Sequence, residues 1–220
     1  MLEPTGFCLF SLPGSDRIQL CTNDGVGNTN GTDFVMAPFG KGHATIRFDR
    51  PSIRQITSYD LEDFGDTPHP AALNKHIVDQ EEYKQFVRRA QLQFDDQHFN
   101  KVIAARNYQI PIPDNFEAGR FFEQLAKEQV DSFCYLFYSP STGIWIGASP
   151  ELLLKKDGAK IRTMSLAGTR KDMSVNWTTK ELDEQKIVTR FISDQLNTLG
   201  ASDIRISKKR DLRSASIEHL

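Results

Sequence analysis

The sequence has little cysteine, no long apolar run and no obvious targeting segment. Its three cysteines, Cys8, Cys21 and Cys134, are odd in number and lack the spacing of a metal site, so we expect buried free thiols in a reducing compartment. No apolar run is long enough to cross a bilayer, and the N-terminus lacks the basic and apolar regions of a signal peptide. These absences predict a cytoplasmic protein with no membrane partner.

An excess of one charge is also missing. The chain has 27 basic and 29 acidic residues and a net charge of −2. This balance gives no electrostatic reason to expect nucleic acid or an anionic membrane as a partner. An anionic ligand would therefore have to be held by local groups.

The composition is that of an ordinary globular protein. The 220 residues are 39% hydrophobic and 25% charged, enough for one large domain or two small ones. Internal repeats and low-complexity segments are absent. Glycine and proline residues mark 63–78 as a linker. We therefore expect a β-rich N-terminal part over residues 1–75 and a second part over residues 76–220.

Several short runs have the alternation and turn residues of β-strands. "GFCLFSLP" and "RIQLCTN" flank Gly14-Ser15-Asp16, which predicts a hairpin. "DFVMAPF" and "HATIRFD" predict two further short strands, separated by Gly40-Lys41-Gly42. Further strand-like runs cover residues 99–113, 132–140 and 143–149.

Three segments have helical periodicity. Asp79 and Glu82 form a capping box before a helix over residues 80–95, and a second helix is predicted over 115–129 with Phe116, Phe121, Phe122 and Leu125 on its apolar side. Thr178 and Glu181 cap a third helix that Gly200 ends. Its expected inward face is Ile187, Val188, Phe191, Ile192, Leu196 and Leu199.

The segment 147–171, "GASPELLLKKDGAKIRTMSLAGTRK", predicts another hairpin. Asp157-Gly158 suits a type I′ turn between its two apolar runs. Glu151 stands at the start of this hairpin, and the small residues Ala167-Gly168-Thr169 stand at its end. Small residues let a ligand approach the backbone, where amide N–H groups bind a carboxylate.

Two charged residues lie beside apolar positions. Lys101 opens the run "KVIAAR", and it is either a strand-end lysine in water or a desolvated lysine that acts as a base. Glu184 lies near the apolar stripe of the third helix, where a carboxylate needs a cation, a basic side chain or water. It is either a solvated acid or a ligand of Mg²⁺.

Four motifs in order carry a family resemblance: "KVIAAR", "ASPELLL", "LAGTRK" and "KELDEQKIV". Residues 79–220 thereby resemble the chorismate-utilising enzymes, and the first 75 residues resemble their variable β-rich part loosely. The resemblance implies an α+β chorismate-binding fold, like anthranilate synthase component I, with large antiparallel β-sheets flanked by helices.

The resemblance also implies roles for single residues. Lys101 matches the general-base lysine of isochorismate and salicylate synthases, where anthranilate synthases usually have glutamine. Glu151 matches the general acid and Glu184 a glutamate that binds Mg²⁺. The expected substrate-binding residues are Ala167, Gly168, Thr169 and His219.

This sequence departs from the family at some of these motifs. The metal-binding segment, usually "EKDxxEH", reads "TKELDEQ" here, with Thr179, Glu181 and Gln185 in place of the first glutamate, the aspartate and the histidine. Ala167 argues against the aminodeoxychorismate branch, which has a lysine there.

The resulting expectation is an isochorismate synthase. It would convert chorismate to isochorismate by Mg²⁺-dependent addition of water at C2 and loss of the C4 hydroxyl, for menaquinone biosynthesis. A salicylate or anthranilate synthase-like enzyme and an inactive binding or assembly module are the alternatives. The family domain continues beyond Leu220, so we expect a C-terminally incomplete domain that is inactive alone and self-associates through the truncated side.

Overall fold

The computed structural model describes residues 6–22, 34–40, 42, 44–48, 52–64, 78–95, 99, 101–214 and 217–220. The chain forms two compact units. Unit 1 consists of Met1–Leu73 and Pro113–Glu151, and unit 2 consists of Asn74–Ile112 and Leu152–Leu220. Each compact unit is built from two separate segments of the chain. The division into domains 1–75 and 76–220 stays a prediction.

In the described residues the chain forms three α-helices: α1 (Gln80–Asp95), α2 (Ala118–Glu128) and α3 (Thr179–Thr198). A 3₁₀ helix covers Ser58–Phe64. The strands are β1 (Phe7–Ser11), β2 (Ile18–Thr22), β3 (Phe34–Met36), β4 (Ile46–Phe48), β5 (Ser52–Ile56), β6 (Phe133–Ser139), β7 (Gly143–Ser149), β8 (Lys155–Asp157), β9 (Lys160–Arg162), β10 (Thr169–Arg170), β11 (Leu212–Ser214) and β12 (Ile217–His219). This is an α+β architecture, as predicted.

Unit 1 contains a five-stranded antiparallel sheet in the order β5-β2-β1-β6-β7. The predicted β1–β2 hairpin is confirmed, with Phe7 opposite Thr22 and Phe10 opposite Gln19. Strands β3, β4, β6 and β7 lie where strands were expected, and β3 pairs with β4 in antiparallel fashion. Local turn and alternation signals were sufficient at these places because each hairpin closes over only a few residues.

The core of unit 1 lies on the two faces of this sheet. One face packs Leu9, Leu20 and Leu136 with the helix residue Phe122, and the other packs Phe48 and Phe137. Cys8, Cys21 and Cys134 are buried free thiols, as predicted. Burial raises the pKa of the Cys134 thiol, since the thiolate would lose its hydration.

Helix α2 begins at Ala118 and not at residue 115, and its apolar side differs from the prediction. Phe116 and Phe121 are exposed, while Ala118, Gly119, Phe122 and Ala126 are buried. A side chain at Gly119 would collide with the backbone of Leu61 in the 3₁₀ helix. Three of these four buried residues are small, and a search for large apolar residues could not find them.

The bounds of α1 and α3 in unit 2 confirm the predicted caps. The carboxylate of Asp79 accepts a hydrogen bond from the N–H of Glu82 at 2.8 Å. Thr178 and Glu181 form the reciprocal capping box of α3. At its other end, Gly200 has φ +80°, and the N–H groups of Gly200 and Ala201 bond to the carbonyls of Asn197 and Leu196. This pattern is a Schellman motif.

The strand predicted over residues 99–113 is wrong, because residues 101–113 form no regular element. Ile103, Tyr108, Ile110 and Ile112 are exposed there. A strand needs a hydrogen-bonding neighbour as well as apolar alternation. Alternation within the segment does not supply that neighbour.

The hairpin after Glu151 is shorter than expected, and its turn is displaced by one residue. Asp157 is opposite Lys160, so Gly158 and Ala159 are the central residues in place of Asp157 and Gly158. Gly158 has φ +58°, which suits the first central position of a type II′ turn. Strands β8 and β9 are exposed along their whole length.

The inward face predicted for α3 is only partly correct. Phe191 is 62% exposed and Leu199 is also exposed, whereas Gln185 is the buried residue of the helix. Apolar periodicity identifies the apolar stripe of a helix. Which part of that stripe is buried depends on the segments that pack against it.

Unit 2 also contains a three-stranded sheet in the order β10-β12-β11. Thr169 is opposite His219, and Arg170 is opposite Glu218. In the part of the chain that the structure describes, no helix is long and apolar enough to span a membrane.

Candidate functional site

An ion pair joins Lys101 to Glu184 in unit 2. The Nζ atom of Lys101 lies 3.0 Å from Oε1 of Glu184, and the two side chains are 19% and 28% exposed. Lys101 belongs to the irregular segment, and Glu184 lies in the second turn of α3. The structure thus brings together two of the residues singled out from the sequence, and Lys101 is the basic partner that Glu184 required.

A second lysine faces the other oxygen of Glu184. Nζ of Lys180, one helical turn earlier, is 3.6 Å from Oε2, and its side chain is largely exposed. An exposed i, i+4 pair adds little stability. Glu184 therefore meets an ammonium group at each carboxylate oxygen.

Glu184 alone supplies too few oxygen ligands for Mg²⁺. Mg²⁺ takes six oxygen ligands at short distance, whereas Glu184 is one carboxylate beside two cations. Among the residues that the structure describes, no group of three or more His, Cys, Asp or Glu side chains could hold a metal ion.

Gly168, which has a left-handed backbone conformation, forms the second part of the site. Gly168 has φ +71°, and an added Cβ would lie 3.2 Å from Cγ of Glu181 and 3.4 Å from Cζ3 of Trp177. Glycine is required here both for the backbone angle and for space. Ala167 is buried, and its N–H donates to the carbonyl of Leu220 at 3.0 Å.

The strands beside Gly168 bring Thr169 and His219 together. Their Cα atoms are cross-strand partners, and Oγ1 of Thr169 lies 2.9 Å from Nδ1 of His219. Within the described residues, Nδ1 is the ring nitrogen of His219 with a partner, which leaves Nε2 for a ligand. We call Gly168, Thr169, Trp177 and His219 the Gly168 corner.

A family model described as "Chorismate binding enzyme" matches residues 43–220. The chain belongs to the chorismate-binding enzyme family. This match spans most of the chain, includes Lys101, Glu184 and the Gly168 corner, and confirms the family and fold class expected from the four motifs.

Curated relatives are isochorismate synthases of low identity. The chain is 31% identical to isochorismate synthase EntC of Escherichia coli (strain K12) over 93 residues, which are 42% of this chain and 24% of that protein. It is 28% identical to isochorismate synthase MenF of Bacillus subtilis (strain 168) over 123 residues, 56% of this chain and 25% of that protein. The matched region spans about a quarter of the length of these relatives.

In this member of the family, Glu151 is described within unit 1 and Lys101 within unit 2. Glu151 follows strand β7, is exposed, and its N–H donates to the hydroxyl of Ser149 at 3.3 Å. Its assignment as the general acid stays a prediction, as do the assigned roles of the other site residues.

The glutamine that replaces the family histidine is part of a buried polar cluster. Nε2 of Gln185 donates to the hydroxyls of Ser165 and Thr189, both at 3.0 Å, and those two hydroxyls lie 2.6 Å apart. This cluster ties α3 to the segment that leads into Ala167. The sequence comparison identified the replacement, but only the structure identifies its partners.

The first turn of α3 adds a negative charge beside Gly168. The hydroxyl and N–H of Thr178 both donate to the carboxylate of Glu181. The Thr178 hydroxyl holds the pKa of Glu181 below its usual value, because these bonds favour the ionised form. The capping carboxylate is therefore engaged with the helix end.

Arg170 is the site residue that the sequence reasoning missed. Its guanidinium binds both Glu218 and Asp211 and lies 4.3 Å from the centroid of the Trp177 ring. "LAGTRK" contained this arginine, but the motif alone did not indicate carboxylates 41 and 48 residues away.

Proposed function

We propose that this protein is an isochorismate synthase, with Lys101 as the general base and Glu151 as the general acid. The observation that carries the proposal is the Lys101–Glu184 ion pair at 3.0 Å. Family membership supports chorismate as the substrate, and the two isochorismate synthases among its relatives support the reaction type.

The reaction consumes one water molecule at C2 and releases one from C4, so its atoms and charges balance. Lys101 takes a proton from water, and the water oxygen forms a bond to C2 of chorismate. The ring double bonds shift, the C4–O bond breaks, and Glu151 donates a proton to the departing hydroxyl. Acid and base act on different atoms, so each needs its own environment.

The ion pair constrains the state in which Lys101 can act. A general base must have a free amine, whereas the contact with Glu184 is made by the ammonium form. Lys101 therefore has to give up one proton, to solvent, before its free amine can take the proton of the attacking water. Glu184 holds the lysine close to its working position between turnovers.

The Gly168 corner and Ala167 are proposed to bind the substrate. The absence of a side chain at Gly168 lets the ring approach the backbone, where N–H groups can bind a carboxylate. The hydrogen bond from Thr169 orients the ring of His219 and leaves Nε2 toward the ligand.

Three finer parts of the proposal are expectations from the sequence. Mg²⁺ is the proposed cofactor, with Glu184 as the carboxylate of this chain that would bind it, and when bound it would neutralise negative charge on the substrate. Menaquinone biosynthesis is the proposed pathway, and the cytoplasm the proposed location.

Product analysis tests the reaction. The complete protein in which this chain occurs is incubated with chorismate, with and without Mg²⁺, and the products are separated by chromatography. Isochorismate formed only with Mg²⁺ is the expected result. Salicylate plus pyruvate would indicate the salicylate synthase alternative, and unchanged chorismate would indicate a binding or assembly module.

A matched pair of variants tests the metal ligand. Glu184→Gln keeps the shape of the side chain and removes its charge, so the concentration of Mg²⁺ required for activity should rise. Asp183→Asn removes an exposed charge from the position directly before Glu184, where Asp183 pairs with Lys186. This variant should leave the required Mg²⁺ concentration unchanged. Equal Mg²⁺ titrations for the two variants would make Glu184 an ordinary helix acid.

A further inference from the structure

Arg170 has an unusually complete set of partners for one side chain of unit 2. Nε donates to Glu218 at 2.8 Å, Nη2 donates to Glu218 and to Asp211 at 3.0 Å, and Nη1 donates to the carbonyl of Val175 at 2.6 Å. The side chain is only 17% exposed. All three guanidinium nitrogens therefore already donate hydrogen bonds to groups of the protein.

These partners exclude a direct role for Arg170 in holding an anionic substrate. The guanidinium faces two carboxylates, Glu218 and Asp211, so its positive charge is already more than balanced. An anion that approached it would also have to displace charge-assisted hydrogen bonds, which are among the stronger ones in proteins.

The partners of Arg170 lie next to each part of the Gly168 corner. Glu218 precedes His219 in β12, and Arg170 itself follows Thr169 in β10, so the Arg170–Glu218 pair continues the same cross-strand ladder as Thr169 and His219. Fixing the first pair restricts the twist and register of the second.

Trp177, which lies beside Gly168, depends on the same guanidinium. Trp177 stacks on Arg170 at 4.3 Å, and its Nε1 donates to Asp211 at 2.8 Å. The ring of Trp177 is one of the groups that an added Cβ at Gly168 would meet. Arg170, Asp211 and Trp177 thus form a closed set of contacts that holds this ring in place.

We propose that Arg170 is a positioning residue for substrate binding. Through Glu218 it fixes the pairing of β10 with β12 that brings Thr169 and His219 together, and through stacking it holds Trp177 beside Gly168. This inference rests on the proposed function for its kinetic consequences, whereas its effect on His219 and Trp177 is independent of the reaction.

Arg170→Lys in the complete protein is the test. Lysine keeps the charge but has neither the planar fork nor the stacking face of arginine. We expect KM for chorismate to rise about tenfold with a small change in kcat, since ground-state and transition-state binding are weakened alike. The side-chain NMR signals of His219 should also shift.

Arg205→Lys is the matched control. Arg205 makes the same kind of forked contact, from Nε and Nη2 to the carboxylate of Asp203 at 3.2 and 2.8 Å, but both side chains are exposed. This variant should leave KM and the His219 signals unchanged. A purely structural loss in Arg170→Lys would lower the melting temperature without separating KM from kcat.

Each outcome is decisive. Without turnover by the wild-type protein the proposed function fails, and the His219 signals still test the positioning role. If Arg170→Lys does not fold, Trp177→Phe replaces it, because that change keeps an aromatic ring and removes only the bond to Asp211. An unchanged KM and unchanged His219 signals in a folded variant would overturn the inference.

Discussion

At the scale of single residues, the candidate site is built from charges that satisfy one another. Lys101 and Glu184 are partly buried, so each would be costly without the other. Arg170, Glu218 and Asp211 repeat this arrangement beside Gly168. The Gly168 corner therefore lies next to side chains whose charges are already paired. Under the proposed function, backbone N–H groups and His219 are left to bind an anionic substrate.

Replacing Lys101 should separate catalysis from binding. In Lys101→Ala, turnover of chorismate should fall by about 10²- to 10⁴-fold, the usual effect of losing a general base, while chorismate still binds. Lys180→Ala is the control, since Lys180 faces the same carboxylate from an exposed position. Steady-state kinetics and calorimetric binding measure the two quantities, and turnover by Lys101→Ala near that of the control would refute the assignment.

Gly168→Ala and Gly158→Ala compare two glycines with positive φ. Both variants should lose about 1 kcal/mol from the left-handed backbone alone. Only at Gly168 does the added Cβ meet neighbours, at 3.2 Å from Glu181, whereas nothing lies within 4 Å at Gly158. Urea unfolding should show the larger loss of unfolding free energy for Gly168→Ala. Equal losses would mean that Glu181 and Trp177 move aside for the added Cβ without cost.

At the scale of elements, helix ends and small contact residues determine how the helices are placed. Helix α3 starts at a capping box and ends in a Schellman motif, so its length is set locally. Helix α2 has no side-chain cap at Glu117 and depends instead on packing against the sheet of unit 1. The two helices should therefore respond differently to pH and to core substitutions.

The cap of α3 should lose part of its contribution in acid. The pKa of Glu181 is lower in the folded protein than in the unfolded chain, so its stabilising effect is complete above the unfolded pKa, about 4.3, and is lost as the pH falls through the folded value. Thr178→Ala, which should lower the unfolding free energy by about 1 kcal/mol at pH 7, should therefore have a smaller effect at about pH 3.

Thr198→Ala is the control for this pH dependence. The hydroxyl of Thr198 donates to the backbone carbonyl of Asp194 at 2.9 Å near the other end of α3, and a carbonyl does not titrate. Urea unfolding at both pH values measures the two effects. A Thr178→Ala effect that is the same at pH 3 and pH 7 would contradict the role of the ionised Glu181 carboxylate.

Adjacent phenylalanines of α2 should have very different effects on stability. Phe122 is 0% exposed and Phe121 is 48% exposed. Phe122→Ala should lower the unfolding free energy by about 3–5 kcal/mol, since it removes buried contacts and leaves a cavity. Phe121→Ala should have a much smaller effect. Similar losses of unfolding free energy in urea would contradict the packing of α2 on the sheet through Phe122.

At the scale of the whole molecule, the chain passes three times between its two compact units, after Leu73, after Ile112 and after Glu151. Pro113–Glu151 contributes α2, β6 and β7 to unit 1, between the two segments of unit 2. A composition-based linker at residues 63–78 could mark one such passage but not the other two. Membership in the chorismate-binding family depends on residues of both units.

The 220-residue chain alone is expected to self-associate and to be inactive on chorismate. Unit 2 exposes large apolar side chains, among them Ile103, Leu153, Phe191 and Leu199, and apolar surface of this kind favours contact with a second copy. Light scattering and an assay for isochorismate measure both parts. A monodisperse monomer that forms isochorismate would contradict both.

The sequence by itself determined the family and the elements that depend on short-range signals. The β1–β2 hairpin and the ends of α1 and α3 follow from turn and capping residues a few positions apart, because their hydrogen bonds close within one segment. The order of four motifs was enough to identify the chorismate-binding family. Lys101 and Glu184 were recognised as candidates separately.

Only the tertiary structure decided which of these residues meet. The Lys101–Glu184 pair, the carboxylates around Arg170 and the hydroxyls around Gln185 join distant segments. The missing strand at residues 101–113 and the covered side of α3 have the same cause. Apolar periodicity describes one segment, whereas a ladder of hydrogen bonds, a buried face or an ion pair requires a second segment that only the path of the folded chain supplies.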